Sequence, residues 1–253
     1  MSEQAMNPAI WNAWPAIEEK PLSYGVLRFS QGYTRRANSL IVNPGCQCNY
    51  AEVVADAEKF FSERDVPVRI CLSFTRSMSG LDRFLQATGY ELMSPSLVMG
   101  RRIEGVTASL PDEGQVRLDA ASWLAVYNSI IPLPASHRDA QRQILARIDD
   151  ENCFLVIVDH QGNPAGCALG VLRGSTLCIF NVATIPARRR QGVGCRLVQG
   201  LLDWGGENKA DQALLQVAQA NPAAVALYRK MGFEILYRYG FRERGGIRLD
   251  PGN

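Results

Sequence analysis

The sequence predicts an α/β protein, α+β in detail: a mixed, mostly antiparallel sheet flanked by helices, built twice along one chain. Three observations carry this. Runs of β-branched and apolar residues alternate with segments whose apolar residues recur at helical spacing. Some of those runs are joined by short turns, as antiparallel hairpins require, whereas others are joined through a helix, as a parallel pair requires. The first half of the 253 residues also lies over the second in one gapless register. Gly89-Tyr90-Glu91 falls on Gly232-Phe233-Glu234, so 89 maps to 232, a spacing of 143. The same spacing puts residues 68–74 on 211–217, Phe61 on Trp204, 36–42 on 179–185 and Asn38 on Asn181.

In chain order, Ile10, Trp11, Trp14 and Ile17 form a short amphipathic segment whose tryptophans are expected in the core. Residues 25–30 and 35–42 read as two strands of a hairpin around a turn at 31–34, with Gly32 at its tip. Tyr33, Arg35 and Arg36 have two readings: solvated residues beside a turn, or groups that reach an acidic acceptor or the other half. Val53, Val54, Ala57, Phe60 and Phe61 mark a helix, followed by a strand at 68–74. The stretch 99–115 is charged, contains glycine and is interrupted by Pro111, which sets the expected division between residues 1–105 and 106–253.

The second unit opens with a helix at 120–127, a proline-containing loop at 131–137, and a helix at 139–148 with Ser136 and Asp139 as a capping-box variant. Strands at 153–159 and 165–172 pair through a turn at 159–164. A buried strand, 177–185, closes on Pro186. The next helix starts inside a glycine-rich loop, carries Val193, Leu197, Val198, Leu201 and Leu202 on one face, and is expected to stop at Gly205-Gly206. A strand at 212–218, Asn221, a short helix bearing Tyr228, and Gly232-Phe233 follow.

Composition excludes several classes. No apolar run approaches the ~20 residues that span a bilayer, and the first ten residues lack a charged-then-apolar leader pattern, so a soluble, cytoplasmic protein with no membrane partner is expected. Net charge is +2 and the arginines are dispersed, which argues against nucleic acid. Seven cysteines without a leader suggest free thiols; Cys46 and Cys48 form an isolated CxC, read as loop thiols, and no metal is expected.

The loop at 188–194, RRRQGVG, is the most chemically specific stretch. A helix start leaves backbone N–H groups unpartnered at the positive end of the dipole, which favours an anion such as a phosphate. Gly192 and Gly194 let that anion approach the backbone, and the arginines add charge. A Walker loop does not fit because no GxxxxGK[ST] string occurs. A dinucleotide fingerprint does not fit because Leu197 stands where its third glycine belongs.

Arg189, Arg190, Gln191, Gly192, Val193 and Gly194 match [RQ]xxGx[GA] and resemble the acetyl-CoA loop of the GNAT family of N-acetyltransferases. Residues 221–234, NPAAVALYRKMGFE, resemble that family's next motif. The resemblance implies tandem GNAT-like acyl-CoA N-acyltransferase domains, with acetyl-CoA as cosubstrate and transfer of its acetyl group to a primary amine. The acceptor is a small molecule or a peptide, and a homodimer is left open. The resemblance further implies that loop amides of 189–194 hold the coenzyme A diphosphate. The pantetheine arm would pair with the backbone of Val182, Ala183 and Thr184, with an N–H near Val182 facing the oxyanion. Tyr228 would contact the cofactor and protonate the leaving sulfur as the catalytic acid, or else simply pack on its helix. Asn221 caps the next helix, binds the cofactor arm, or does both.

No Asp or Glu lies within 177–185, so the general base is not assigned; His137, in the acceptor-side loop 131–137, His160 and water stay open. The first unit carries Cys46, Gln47, Cys48, Asn49, Tyr50 and Ala51 opposite the loop, and Met78 and Leu85 opposite Asn221 and Tyr228, and is expected to be degenerate. A non-catalytic acetyl-CoA-binding regulator, or an inactive scaffold, remains as the alternative class.

Overall fold

The computed structural model describes residues 6–103 and 114–245. The first half runs α1 (Pro8–Asn12), β1 (Glu18–Leu22), β2 (Gly25–Phe29), a 3-10 turn (Arg35–Ala37), β3 (Leu40–Val42), α2 (Tyr50–Ser62), β4 (Val68–Ser73), α3 (Ser79–Ala87) and β5 (Glu91–Arg102). The second runs β6 (Gln115–Leu118), α4 (Ala120–Ile130), α5 (Ala135–Leu145), β7 (Glu151–Val158), β8 (Pro164–Arg173) and β9 (Thr176–Thr184). A 3-10 turn (Pro186–Arg188), α6 (Val193–Glu207), β10 (Gln212–Ala218), α7 (Pro222–Lys230) and β11 (Glu234–Arg244) complete it. The repeat expected from the sequence is visible in the starts of these elements. Helices α2 and α6 begin at 50 and 193, α3 and α7 at 79 and 222, and β5 and β11 at 91 and 234, 143 apart each time.

Among the described residues the strands form one mixed sheet ordered β1-β2-β3-β4-β11-β5-β10-β9-β8-β7-β6. Only β3–β4 and β9–β10 are parallel, and in each pair a single helix, α2 or α6, carries the chain from one strand to the other. The closing strands are exchanged between the halves. Strand β11 lies between β4 and β5, and β5 lies between β11 and β10, all antiparallel. Two ion pairs fasten the exchange: Arg242 to Asp82 of α3 at 2.8 Å, and Arg69 of β4 to Glu243 at 2.6 Å.

Strand alternation sorts side chains to two faces. On one face, Leu40, Val42, Ile70 and Leu72 pack with α2 and α3, and Leu177, Ile179 and Leu215 pack with α6 and α7. On the other, Ile41, Cys71, Phe180, Leu214 and Tyr239 join Trp11, Trp14 and Trp123 in a core that spans both halves.

Three local expectations are corrected. The segment 35–42 is not all strand, because buried Asn38 accepts from the N–H groups of Ser30 and Gly32 and donates to the carbonyls of Tyr33 and Thr34. The chain folds around that side chain before β3 begins. Helix α5 starts at Ala135, directly after Pro134, so Ser136 and Asp139 lie inside it and form no capping box. Helix α6 passes through Gly205 and Gly206 to Glu207; a Cβ on Gly205 would stand 2.9 Å from Leu177, so that glycine serves close packing and does not stop the helix. Strand β5 runs to Arg102, into the stretch read as a boundary, whose residues 104–113 lie outside the described ones.

Candidate active site

Strands β9 and β10 pair in parallel from Thr176 with Gln212 to Ile179 with Leu215, and there the pairing ends. Each strand continues with its other neighbour: β8 holds β9 as far as Thr184, and β5 holds β10 as far as Ala218. The facing edges therefore part into a wedge whose backbone groups have no partner strand. A bulge marks the point of parting. Between the pairs Leu169–Phe180 and Cys167–Ala183 the register shifts, and Asn181 takes a left-handed φ of 52°. The cleft in the wedge has a volume of about 220 Å³, with Asn181 and Val182 on one wall, Gln216 on the other, and Asn221, Tyr228 and Arg36 around it.

Beyond the wedge the chain turns through Pro186–Arg188 into α6. Gly192 caps that helix with a φ of +79°, and no side chain bonds the first amides of α6. A Cβ at Gly192 would meet nothing within 4 Å, so glycine is needed there for its backbone conformation. At Gly194 the reason is space, since a Cβ would stand 3.1 Å from Leu227 of α7. The side chains at the entrance turn elsewhere: Gln191 donates to the Ala187 carbonyl, and Arg188 pairs with Asp159 at 2.5 Å. Arg189 and Arg190 are exposed, with no ion pair among the described residues. The matching entrance of α2 is closed. Asn49 accepts from the Ala51 N–H at 3.0 Å, and the Tyr50 ring lies tilted against Phe84 and crowds Gly80.

Of the residues singled out in the sequence, the cleft brings together Val182, Asn221 and Tyr228. Ala183 and Thr184 lie on β9, paired with Cys167 and Gly166, and Arg189, Arg190, Gln191, Gly192, Val193 and Gly194 lie outside the cleft walls, along the chain after β9. The Asn221 side chain caps α7, accepting from the Ala224 N–H at 3.1 Å. Tyr228 is buried, lies edge-on to Phe233, and has its pKa pushed up to about 12 by burial. His160 is exposed in the turn after β7. His137 sits on α5 with its ring 5.9 Å from that of Tyr33, so the acceptor-side segment touches the first half. Among the described residues no group of three or more His, Cys, Asp or Glu is placed to hold a metal, and no helix is long and apolar enough to cross a membrane.

Arg36, Gln216 and Asn181 were not assigned to the cleft from the sequence. The only signal for Arg36 was its second reading, a group that reaches the other half, and the structure places it there. Its guanidinium lies 5.0 Å from the Trp14 ring and 5.1 Å from the Phe180 ring, and donates to Gln216 Oε1.

A family model described as "Probable histone acetyltransferase Rv0428c C-terminal" matches residues 3–242. The chain belongs to the GNAT acetyltransferases. Similar proteins agree with that placement. An uncharacterized N-acetyltransferase, YobR of Bacillus subtilis, is 24% identical over 91% of this chain and 94% of its own. The ribosomal protein bS18 alanine N-acetyltransferase of Escherichia coli is 38% identical over 55 residues, 22% of this chain and 37% of that one. Two solved structures share the fold. A GCN5-related N-acetyltransferase from Kribbella flavida superposes with a TM-score of 0.69 at 17% identity, covering 97% of this chain and 98% of that one. A tandem GNAT protein from the clavulanic acid biosynthesis pathway superposes with a TM-score of 0.61 at 15% identity, covering 83% and 74%. This GNAT chain is thus a tandem acyltransferase.

Proposed function

We propose that this GNAT protein transfers the acetyl group of acetyl-CoA to a primary amine by direct attack of the amine on the thioester, using the cleft between β9 and β10. The observation that carries the reading is the uncapped, glycine-led entrance of α6 beside a parted pair of strands. Unpartnered amides at a helix start fit a diphosphate, with Arg189 and Arg190 nearby to offset its charge. The unpaired edge of β9 at Val182, Ala183 and Thr184 offers amides and carbonyls to an extended amide-containing arm such as pantetheine. Acetyl-CoA is therefore held by residues 182–184 and 189–194, with Asn221 and Tyr228 at its thioester end. No metal enters the scheme.

The amine nitrogen forms a bond to the carbonyl carbon, and the oxyanion that develops meets the backbone N–H near Val182. The C–S bond then breaks and the sulfur leaves. Tyr228, neutral across the whole physiological range, hydrogen-bonds that sulfur as charge develops and hands over its proton. A phenol of pKa about 12 is a weaker acid than a solvated thiol of about 8.5. The transfer is favourable only because the same burial raises the basicity of the departing thiolate. The proton lost by the attacking nitrogen passes through water back to the Tyr228 phenolate, which restores the acid, since no carboxylate lines the cleft.

The catalytic unit in this reading lies within 106–253. Residues 1–105 serve as a degenerate partner that binds no coenzyme, supported by the closed entrance of α2. The test is calorimetric titration with coenzyme A together with thiol release from acetyl-CoA across free amino acids, polyamines, aminoglycosides and peptides. Failure of the wild-type protein to bind coenzyme A sinks the reading.

A further inference from the structure

Arg36 is a cation out of place. It comes from the first half, is half-buried between Trp14 and Phe180, and makes no ion pair among the described residues. The groups that act on it electrically are the hydroxyls of Tyr239, Tyr33 and Tyr127, and burial works against its charge. A guanidinium drawn partly out of water without a carboxylate is costly unless something anionic completes it.

Two further donors share the cleft. Gln216 accepts from Arg36 through Oε1, which fixes its Nε2 facing the other way, and that nitrogen is buried with no acceptor. Asn181 Nδ2 is also buried with no acceptor, whereas its counterpart Asn38 has every group satisfied. Three donors thus line one cleft, with no carboxylate on its walls. A ligand rich in acceptor oxygens answers that arrangement.

The strand faces show which reactant carries those oxygens. Gln216 alternates with Leu215 and Val217, which face α6 and α7, so it belongs with Phe180 on the face covered by α1, α4 and α5. In the function proposed above, on which this step rests, coenzyme A approaches from the α6 side. The opposite face is left to the acceptor. We infer that the acceptor is a small amine that also bears a carboxylate, as a free amino acid does, and that Arg36, with Gln216, binds that carboxylate. The first half would then supply the specificity-determining residue of a site whose reaction groups come from the second.

The test compares acceptors that differ only in the carboxylate: the free amino acids, β-alanine and γ-aminobutyrate against their amides, with thiol release from acetyl-CoA as readout. Wild type is expected to favour the carboxylate member of a pair at least tenfold in kcat/KM. That ratio should fall tenfold or more in Arg36→Met and less in Arg36→Lys, which keeps the charge but loses the fork. Arg36→Lys carries the test if the methionine variant does not fold. Two results overturn the inference: no wild-type preference for the carboxylate, or a ratio unshifted in the variants, which with an equal loss for both members of a pair would place Arg36 at the reacting carbonyl. A carboxylate preference seen only in the donor, with succinyl-CoA taken over acetyl-CoA, overturns it as well. Coenzyme A titration separates the two levels. Wild type that binds the coenzyme but shows no selectivity defeats this inference alone, and wild type that binds none defeats the function and the inference together.

Discussion

Gly192 and Asn49 occupy equivalent positions and leave opposite helix starts behind them. Gly192, at φ +79°, leaves the first amides of α6 without a side-chain cap, while Asn49 caps α2 by accepting the Ala51 N–H with its own carboxamide oxygen. A branched residue at 192 must either strain in the left-handed region or move the loop. Gly192→Val is therefore expected to weaken coenzyme A binding at least tenfold in calorimetry. Asn49→Gly, which removes only a cap at a cost of a few tenths of a kcal/mol, should leave the affinity unaltered. Equal losses would mean that the halves share the coenzyme. Tyr228 makes a separate prediction. Tyr228→Phe keeps the ring against Phe233 and removes the proton, so turnover should fall about tenfold to a hundredfold with little change in coenzyme affinity. Because burial holds its pKa near 12, the protonated donor persists above the ordinary phenol range, and the pH–rate profile should show no Tyr228 descending limb up to pH about 10. A limb there that vanishes in Tyr228→Phe would show a far less perturbed hydroxyl.

The seat of α6 depends on what β8 leaves out. A Cβ at Gly166 would stand 2.6 Å from the Ala183 carbonyl oxygen, 2.8 Å from Val193 and 3.1 Å from Leu197. The first of these is backbone and cannot swing aside. Gly166→Ala should thus lift the start of α6 off the sheet, costing about 1–3 kcal/mol of stability, read as a lower urea midpoint, and weakening coenzyme A binding with it. Unchanged affinity in a destabilised variant would separate the entrance from its support. Such contacts explain what was legible in the sequence and what was not. The helices that carry Val53 to Phe61, Val193 to Leu202 and Tyr228 follow from the apolar spacing and the repeat, because those patterns are local or copied. Gly205 looked like a stop because a glycine is read from its backbone freedom, whereas here it answers Leu177 on a strand 28 residues earlier. The helix start behind the loop at 189–194 was legible, since its glycines and the apolar spacing that follows are local. Arg36 was legible only as one of two readings, since nothing near it in sequence decides that its loop crosses to the second half. The loop itself was misread as strand because the four hydrogen bonds of Asn38 replace ladder pairing.

The exchange of β5 and β11 makes the two copies one cooperative body. Neither half can close its sheet without a strand from the other, since β4 needs β11 and β10 needs β5. The wedge depends on this too: β5 holds the far edge of β10 through Ala218, past the point where β9 has already turned away. A ligand gripped by α6 should therefore stabilise residues that it never touches. Coenzyme A at a hundred times its Kd adds about 2.7 kcal/mol to the folded state, and amides that exchange only through global unfolding slow by about a hundredfold. Strand β4 lies wholly in the first half, between β3 and β11, and its central amides are the probe. Hydrogen exchange followed by mass spectrometry should show peptides of β4 protected by coenzyme A as strongly as those of β10. Protection confined to the second half would mean that the exchanged strands part without unfolding the rest, and that the first copy opens on its own.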